Sequence, residues 1–98
     1  MLESIGESAF ENCFNLTSII IPKSVTSIGK GAFKKCIILQ SVTFEEGSLL
    51  KIIGESSFEK CSALTSIIIP SGVKIIGKLA FYQCKMLQSV TFEEGSKL

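Results

Sequence analysis

The stretch Leu16–Cys36, with the sequence LTSIIIPKSVTSIGKGAFKKC, decides the fold because its pattern recurs along the whole chain. Each recurrence starts with the dipeptide Ile-Gly, and the steps between these dipeptides are 23, 25 and 23 residues. In every recurrence a Phe follows the Ile by five residues, a Cys by eight and a Leu by eleven. The four dipeptides are Ile5-Gly6, Ile28-Gly29, Ile53-Gly54 and Ile76-Gly77. A period of about 20 to 50 residues indicates a repeat architecture such as a solenoid.

A longer period of 48 residues lies on top of the first. Residues 5–50 match residues 53–98 at 32 of 46 positions. The first and third units end in Ile-Ile-Ile-Pro, at Pro22 and Pro70, while the second and fourth end in the longer Val-Thr-Phe-Glu-Glu-Gly-Ser. The chain therefore consists of two blocks, each with one short and one long unit. We predict a single domain, 1–98, uncapped at both ends, with four coils: 2–24, 25–49, 50–72 and 73–97.

Each unit carries the periodicities of a strand and of a short helical turn. In Leu16-x-x-Ile19-x-Ile21 the last apolar residues alternate with Ser18 and Ile20, which is typical of a strand. Glycine suits the corner that follows, and beyond it apolar residues step by one and three positions, as in a helical turn. One coil cannot bury its own apolar face, so stacked coils must bury it together. The predicted fold class is an α/β solenoid with a parallel β-sheet on one face and short strands and helical turns on the other.

The composition excludes most catalytic and metal chemistry. The 98 residues are 46% hydrophobic and 19% charged, which is enough apolar material for a core. His, Asp, Arg and Trp are absent, so the imidazole base, the Ser-His-Asp triad and the His-ligated metal site are all excluded. We predict no catalytic site, no cofactor and no metal site, and the chain is not predicted to be an enzyme.

Charge and hydropathy argue against nucleic acid and membrane as partners. The formal net charge is +1 and there is no Arg, so the chain lacks the field that binds phosphates. Apolar runs such as Ile19–Ile21 are far shorter than the roughly 20 residues of a membrane-spanning helix. We therefore predict no nucleic-acid binding and no membrane insertion. Met1–Ser4 also lacks the charged and apolar regions that open a signal peptide.

The pattern Leu-x-x-Ile-x-Ile-Pro followed by Val-x-x-Ile-Gly-x-x-Ala-Phe-x-x-Cys resembles the BspA-like leucine-rich repeats, also called the Treponema pallidum type. The resemblance recurs four times and covers essentially all 98 residues. It implies a curved leucine-rich-repeat coil stack with a parallel sheet on its concave side. It also implies a cell-surface or secreted protein, of the kind that includes surface antigens, that adheres to proteins of a host or a neighbouring cell.

One cysteine recurs in every coil, and the four are Cys13, Cys36, Cys61 and Cys84. Stacked side chains point the same way, whereas a disulfide needs convergent Cβ atoms. Zinc ligands usually come in close Cys-x-x-Cys pairs, and every gap here exceeds twenty residues. The pattern therefore favours free, buried thiols that pack as small apolar side chains.

Two uncharged columns follow the predicted strands and form the candidate partner-binding face. One column is Ser18, Ser41, Ser66 and Ser89; the other is Ile20, Thr43, Ile68 and Thr91. Two interpretations stay open. These residues can be neutral strand formers that serve the sheet alone. They can also be a binding patch, because exposed apolar groups rimmed by polar ones mark interaction surfaces.

A column of alternating charge is predicted on another face: Glu7, Lys30, Glu55 and Lys78. Like charges one strand spacing apart would repel, so the alternation helps to fix which coil stacks on which. A second copy stacked beyond the coil of Lys78 would present the coil of Glu7 and continue the alternation. Together with uncapped ends, this predicts a homo-oligomer formed end to end.

Two classes of function are consistent with these features. The first is a non-enzymatic protein-binding or adhesion module that presents its neutral Ser/Thr/Ile sheet face to a partner protein. The second is a structural scaffold unit that self-associates end to end, or a fragment of a longer repeat array. Substitution of Ile20 and Ile68 by Lys would affect the first function, and charge reversal at Lys78 the second.

Overall fold

The computed structural model describes residues 2–96 and 98; Met1 and Lys97, at the predicted ends of the domain and of its fourth coil, lie outside them. The chain winds into four turns with overall dimensions of 30 × 29 × 22 Å. Each turn contributes a two-residue strand and a four-residue strand. The strands are β1 (Ser4–Ile5), β2 (Ser18–Ile21), β3 (Ser27–Ile28), β4 (Ser41–Phe44), β5 (Ile52–Ile53), β6 (Ser66–Ile69), β7 (Ile75–Ile76) and β8 (Ser89–Phe92).

The two-residue strands form one continuous parallel sheet, here called the back sheet. Its order is β1-β3-β5-β7, so each coil pairs with the next along the chain. The isoleucines of the Ile-Gly pairs lie in register, with Ile5 opposite Ile28 and Ile53 opposite Ile76. Ile28 and Ile53 are fully buried. The back sheet therefore holds all four coils together by backbone pairing.

The four-residue strands form the front sheet, which is split into two pairs. Strand β2 pairs with β4 and β6 pairs with β8, all parallel and with like residues opposite. No ladder joins β4 to β6 within the described residues, although their Cα atoms approach within 8 Å. The loop after β4 is two residues longer than the loop after β2, which is reflected in the 25-residue step.

A proline at the end of β6 contributes to the split. In the long coils, the N–H of Glu45 donates to the carbonyl of Ile21 and the N–H of Glu93 to that of Ile69, both at 3.0 Å. The corresponding residue of the third coil is Pro70, which has no N–H to donate. The third coil therefore cannot make the backbone hydrogen bond to the preceding coil that the second and fourth coils make at this position.

The residues between each Ile-Gly corner and the following Leu form overlapping turns, here called the turn arcs. No helix occurs in the described part of the chain, so the predicted helical turns are replaced by these arcs. Backbone donors alternate along an arc: Ala9 donates to Gly6 within its coil, while Ser8 donates to Lys30 of the next coil. Ser8 and Asn12 adopt left-handed backbone angles, with φ of 58° and 64°. The arcs are 6–16, 29–39, 54–64 and 77–87.

A column of stacked phenylalanine rings runs through the turn arcs, and this confirms the predicted superposition of like positions. Neighbouring ring centroids lie 5.1, 5.2 and 5.5 Å apart, and the ring planes differ by only 2° to 4°. Phe33 and Phe58, in the two inner coils, are fully buried, whereas Phe10 and Phe81 are partly buried. The core is thus continuous from coil to coil and most enclosed in the middle.

The glycines of the Ile-Gly pairs permit close approach between coils. The sequence suggests that these glycines supply an unusual backbone angle at the corner. That is wrong, because none of them has a positive φ. A Cβ on Gly29 would lie 2.6 Å from the backbone nitrogen of Glu7, and one on Gly54 would lie 2.6 Å from the carbonyl oxygen of Ile28. A Cβ on Gly6, in the first coil, would meet no atom within 4 Å.

Candidate protein-binding face

The outward side of the front sheet carries the two uncharged columns that the sequence predicts. Strand alternation turns Val42 and Ile67 into the core and leaves their neighbours in solvent. Ile20 is 69% exposed and Ile68 is 59% exposed. All eight predicted residues are exposed and lie on this one face: Ser18, Ile20, Ser41, Thr43, Ser66, Ile68, Ser89 and Thr91. The structure therefore brings the predicted set together.

Carboxylates close the corner at the end of the front strands. The Oε1 atom of Glu45 accepts the backbone N–H of Lys23 at 2.8 Å, and the Oε1 atom of Glu93 accepts that of Ser71 at 2.9 Å. In both cases the long coil of a block caps the turn of the short coil before it. Each 48-residue block is therefore tied at this corner as well as by its front ladder.

A cleft of about 280 Å³ opens where the front sheet is split. Its buried inner residues are Val42 and Ile67, and half-buried Phe44 adds an aromatic wall. The exposed lining residues are Ser41, Thr43, Ser66, Ile68 and Glu93. The periodic pattern does not predict this cleft. The signals that could have found it are the 25-residue step and Pro70.

The predicted stacking charges each follow the glycine of an Ile-Gly pair. Glu7, Lys30, Glu55 and Lys78 are all exposed and occupy equivalent places in successive coils. Backbone bonds pass beside them from coil to coil, for example from the N–H of Gly31 to the carbonyl of Glu55 at 2.9 Å. In water, each exposed pair of opposite charges contributes at most about 1 kcal/mol.

The cysteines form a ladder of thiol hydrogen bonds. The Sγ atoms of Cys36, Cys61 and Cys84 each lie 3.1 Å from the carbonyl oxygen of a phenylalanine in the preceding coil. All four thiols are free; Cys36 and Cys61 are buried, while Cys13 and Cys84 are partly buried. A thiol can donate in this bond only while it is protonated.

Burial accounts for the protonation state of the ladder. It raises the pKa of Cys61 from 9.0 to about 12, and the neighbouring thiol groups of Cys36 and Cys84 add to the rise. Burial likewise raises the pKa of Cys36 and of Cys84. These thiols therefore stay neutral donors at physiological pH and are poor nucleophiles.

Residues 2–96 and 98 contain neither a cluster of metal ligands nor a membrane-spanning helix. No three His, Cys, Asp or Glu side chains of this part of the chain converge as metal ligands would. The same residues contain no helix with the length and apolarity needed to span a membrane.

Three solved structures are similar to this coil stack over most of its length. The pneumococcal vaccine antigen PcpA is 28% identical with a TM-score of 0.88, over 100% of this chain and 26% of that one. A leucine-rich repeat protein from Bacteroides capillosus is 39% identical with a TM-score of 0.81, over 94% and 64%. A leucine-rich cell surface protein from Faecalibacterium prausnitzii is 30% identical with a TM-score of 0.68, over 97% and 32%.

The chain spans less than two thirds of the length of each of these proteins. Among curated proteins, none matches this sequence. A family model described as "BspA type Leucine rich repeat region (6 copies)" matches residues 3–97. The match covers the whole coil stack described above, and it agrees with the resemblance inferred from the repeat. The chain belongs to the BspA-type leucine-rich repeat family.

Proposed function

We propose that this chain is a non-catalytic protein-binding module of a cell-surface or secreted protein, and that the front sheet is its binding face. The observation that carries the proposal is the composition of that face. Its eight exposed residues carry no charge: six have hydroxyl groups, and the other two, Ile20 and Ile68, are isoleucines that are more than half exposed. Exposed apolar side chains rimmed by hydroxyl groups are characteristic of protein interaction surfaces.

The family and the structural relatives support a location at the cell surface. BspA-type repeats are commonly found in surface proteins. One relative is a cell surface protein of Faecalibacterium prausnitzii, and another is a vaccine antigen of pneumococcus. A surface-located coil stack without catalytic groups functions by affinity for another molecule, and the partner class we propose is a protein on a host or neighbouring cell.

The test is the binding of the purified chain to intact epithelial cells, before and after mild protease treatment of the cells. The double substitution Ile20→Lys and Ile68→Lys places two charges on the front sheet, and we expect it to abolish protease-sensitive binding. Ile52→Lys with Ile75→Lys is the matched control, because these isoleucines are 41% and 55% exposed on the back sheet. Equal loss in both double variants, or no loss in the first, would contradict the proposal.

A scaffold that extends end to end is the second candidate. The observation that favours it is the exposure of apolar side chains on the outer coils. Leu2 is 53% exposed, whereas the equivalent Val25, Leu50 and Val73 are fully buried. A second copy, or further coils in a longer array, would cover such residues.

The charge column provides the test of self-association. Lys78→Glu would place like charges beside Glu7 of a following copy, so we expect it to disrupt end-to-end complexes. The measurement is the molar mass by light scattering across a concentration series. Lys51→Glu is the control, because this exposed residue lies in the third coil, away from both ends and outside the charge column. A 10.6 kDa monomer for the unmodified chain at high concentration would exclude this candidate.

A further inference from the structure

The cleft between β4 and β6 has a shape that suits one side chain. At about 280 Å³ it is at or below the lower end of the range of pockets that hold whole small molecules, roughly 300–1,000 Å³. An inserted strand would need two strand spacings, about 9.6 Å, between its neighbours. The Cα atoms of β4 and β6 approach within 8 Å, which is too close for that. A single side chain that lies in the cleft from the front is compatible with these dimensions.

The lining of the cleft favours a long cationic side chain. Half-buried Phe44 and exposed Ile68 offer apolar surface that can pack against methylene groups, above the buried Val42 and Ile67. Hydroxyl groups of Ser41, Thr43 and Ser66 surround the mouth, and each can accept a hydrogen bond. Unpaired strand edges also present carbonyl acceptors, since no ladder joins β4 to β6.

The charge of the cleft has one sign. Among the described residues, Glu93 is the one charged residue in the lining, and Glu94 follows it in the sequence. The hydrogen bond from the Ser71 N–H occupies one oxygen of Glu93 and fixes the direction of the carboxylate. The second oxygen accepts no hydrogen bond from the described residues. A fixed carboxylate beside several neutral acceptors matches a planar group with many donors.

We propose that the cleft binds an arginine side chain of a partner protein, with its methylene groups against Phe44 and Ile68 and its guanidinium on Glu93. Arginine fits better than lysine because its five donors can reach the carboxylate and the hydroxyl groups together. The present chain contains no arginine, so a second copy cannot supply the ligand. This inference rests on the proposed function and assigns the partner a recognition residue.

The probe is the capped tripeptide acetyl-Gly-Arg-Gly-amide, titrated into the labelled chain and followed by backbone amide NMR shifts. We expect shifts at Thr43, Ser66 and Ile68. Replacement of the arginine by citrulline, which keeps the shape and removes the charge, should weaken binding about tenfold or more. A lysine peptide should bind more weakly than the arginine peptide; equal affinity would overturn the assignment to a guanidinium.

Glu93→Gln is the decisive variant, since its Oε1 atom can still accept the Ser71 N–H. We expect it to weaken the arginine peptide by about tenfold or more. Glu45→Gln is the matched control, because Glu45 makes the same kind of bond to Lys23 but does not line the cleft. Equal loss in the two variants, or equal shifts with citrulline, would overturn the proposal.

The two proposals fail in different ways. If the arginine peptide does not bind while Ile20→Lys with Ile68→Lys still abolishes cell binding, the cleft assignment falls and the binding face remains. If the peptide binds and Glu93→Gln weakens it, but Ile20→Lys with Ile68→Lys leaves cell binding unchanged, the cleft assignment stands. The front sheet then loses its proposed role in cell binding.

Discussion

Neighbouring coils are joined differently on the front and on the back of the stack. The back sheet is unbroken across all four coils, whereas the front sheet divides into two pairs of strands. At the junction of the second and third coils, the N–H of Gly54 bonds to Ile28 at 2.8 Å and the N–H of Phe33 bonds to Ser57 at 2.7 Å. The back sheet and turn arcs therefore hold the junction at which the front sheet is split.

The largest expected effect compares two phenylalanines on the two sides of the junction. Phe58 is fully buried in the ring column, and Phe44 is half-buried beside the cleft. We expect Phe58→Ala to lower the free energy of unfolding by about 3–5 kcal/mol, and Phe44→Ala to lower it by only about 1 kcal/mol. Urea denaturation followed by circular dichroism measures both. If Phe58→Ala does not fold, Phe58→Leu serves in its place. Equal losses of unfolding free energy at Phe58 and Phe44 would remove the distinction between the ring column and the front sheet.

A methyl group at the back junction is the next test. Gly54→Ala would press a Cβ against the Ile28 carbonyl, and we expect a loss of about 2–3 kcal/mol in the free energy of unfolding. Gly6→Ala, with nothing within 4 Å, should be neutral or stabilise by up to about 1 kcal/mol through the unfolded chain. The comparison uses thermal and urea unfolding. A mild Gly54→Ala would mean that the back junction is not tightly packed.

Alkaline pH should weaken the thiol ladder in the turn arcs. The pKa of Cys61 is raised to about 12 in the folded chain, so between pH 9 and 12 the unfolded chain loses its thiol proton more readily. The contribution of this thiol to the free energy of unfolding is complete below pH 9. Above pH 9 it decreases by about 1.4 kcal/mol per pH unit. The measurement is urea unfolding from pH 8 to 10.5. Cys61→Ala should flatten the dependence, and an unchanged slope in that variant would contradict the assignment.

The smallest expected effect is a gain in stability at the junction. The hydroxyl of Ser57 is buried without a hydrogen-bond partner, in a position where the other coils have Ala9, Ala32 and Ala80. We expect Ser57→Ala to raise the free energy of unfolding by about 1 kcal/mol, because it removes a desolvated polar group. Ala32→Ser should lower it by a similar amount. Thermal unfolding of both variants decides the matter, and a loss of stability in Ser57→Ala would show that the hydroxyl is satisfied.

The sequence predicts what every coil repeats. The phenylalanine column, the outward Ser and Ile positions and the free cysteines follow from like residues at like places, and the structure confirms each of these. The turn arcs were harder to predict, since a spacing of three apolar positions is common to helical turns and to consecutive tight turns. Left-handed angles at Ser8 and Asn12, residues with no unusual pattern around them, distinguish the two in the structure.

The candidate cleft could not be predicted from the repeat because it arises where the repeat is imperfect. Two extra residues after β4 and the missing N–H of Pro70 separate strands that a regular stack would pair. The periodic pattern therefore predicts the binding face as a surface of uniform columns. The position of the opening within it depends on the hydrogen bonds that individual backbone groups lack.

The capping carboxylates make the 48-residue block a structural unit, and this matters for chains that contain more than two blocks. Glu45 and Glu93 bind each long coil to the short coil before it. The split between β4 and β6, here called the seam, therefore falls between blocks and not within one. A chain lengthened by whole blocks would repeat the seam every two coils, at intervals of about 10 Å. If each of these clefts binds an arginine side chain as proposed, a partner with arginines at matching intervals would engage several clefts at once, and its overall avidity would exceed the affinity of a single cleft.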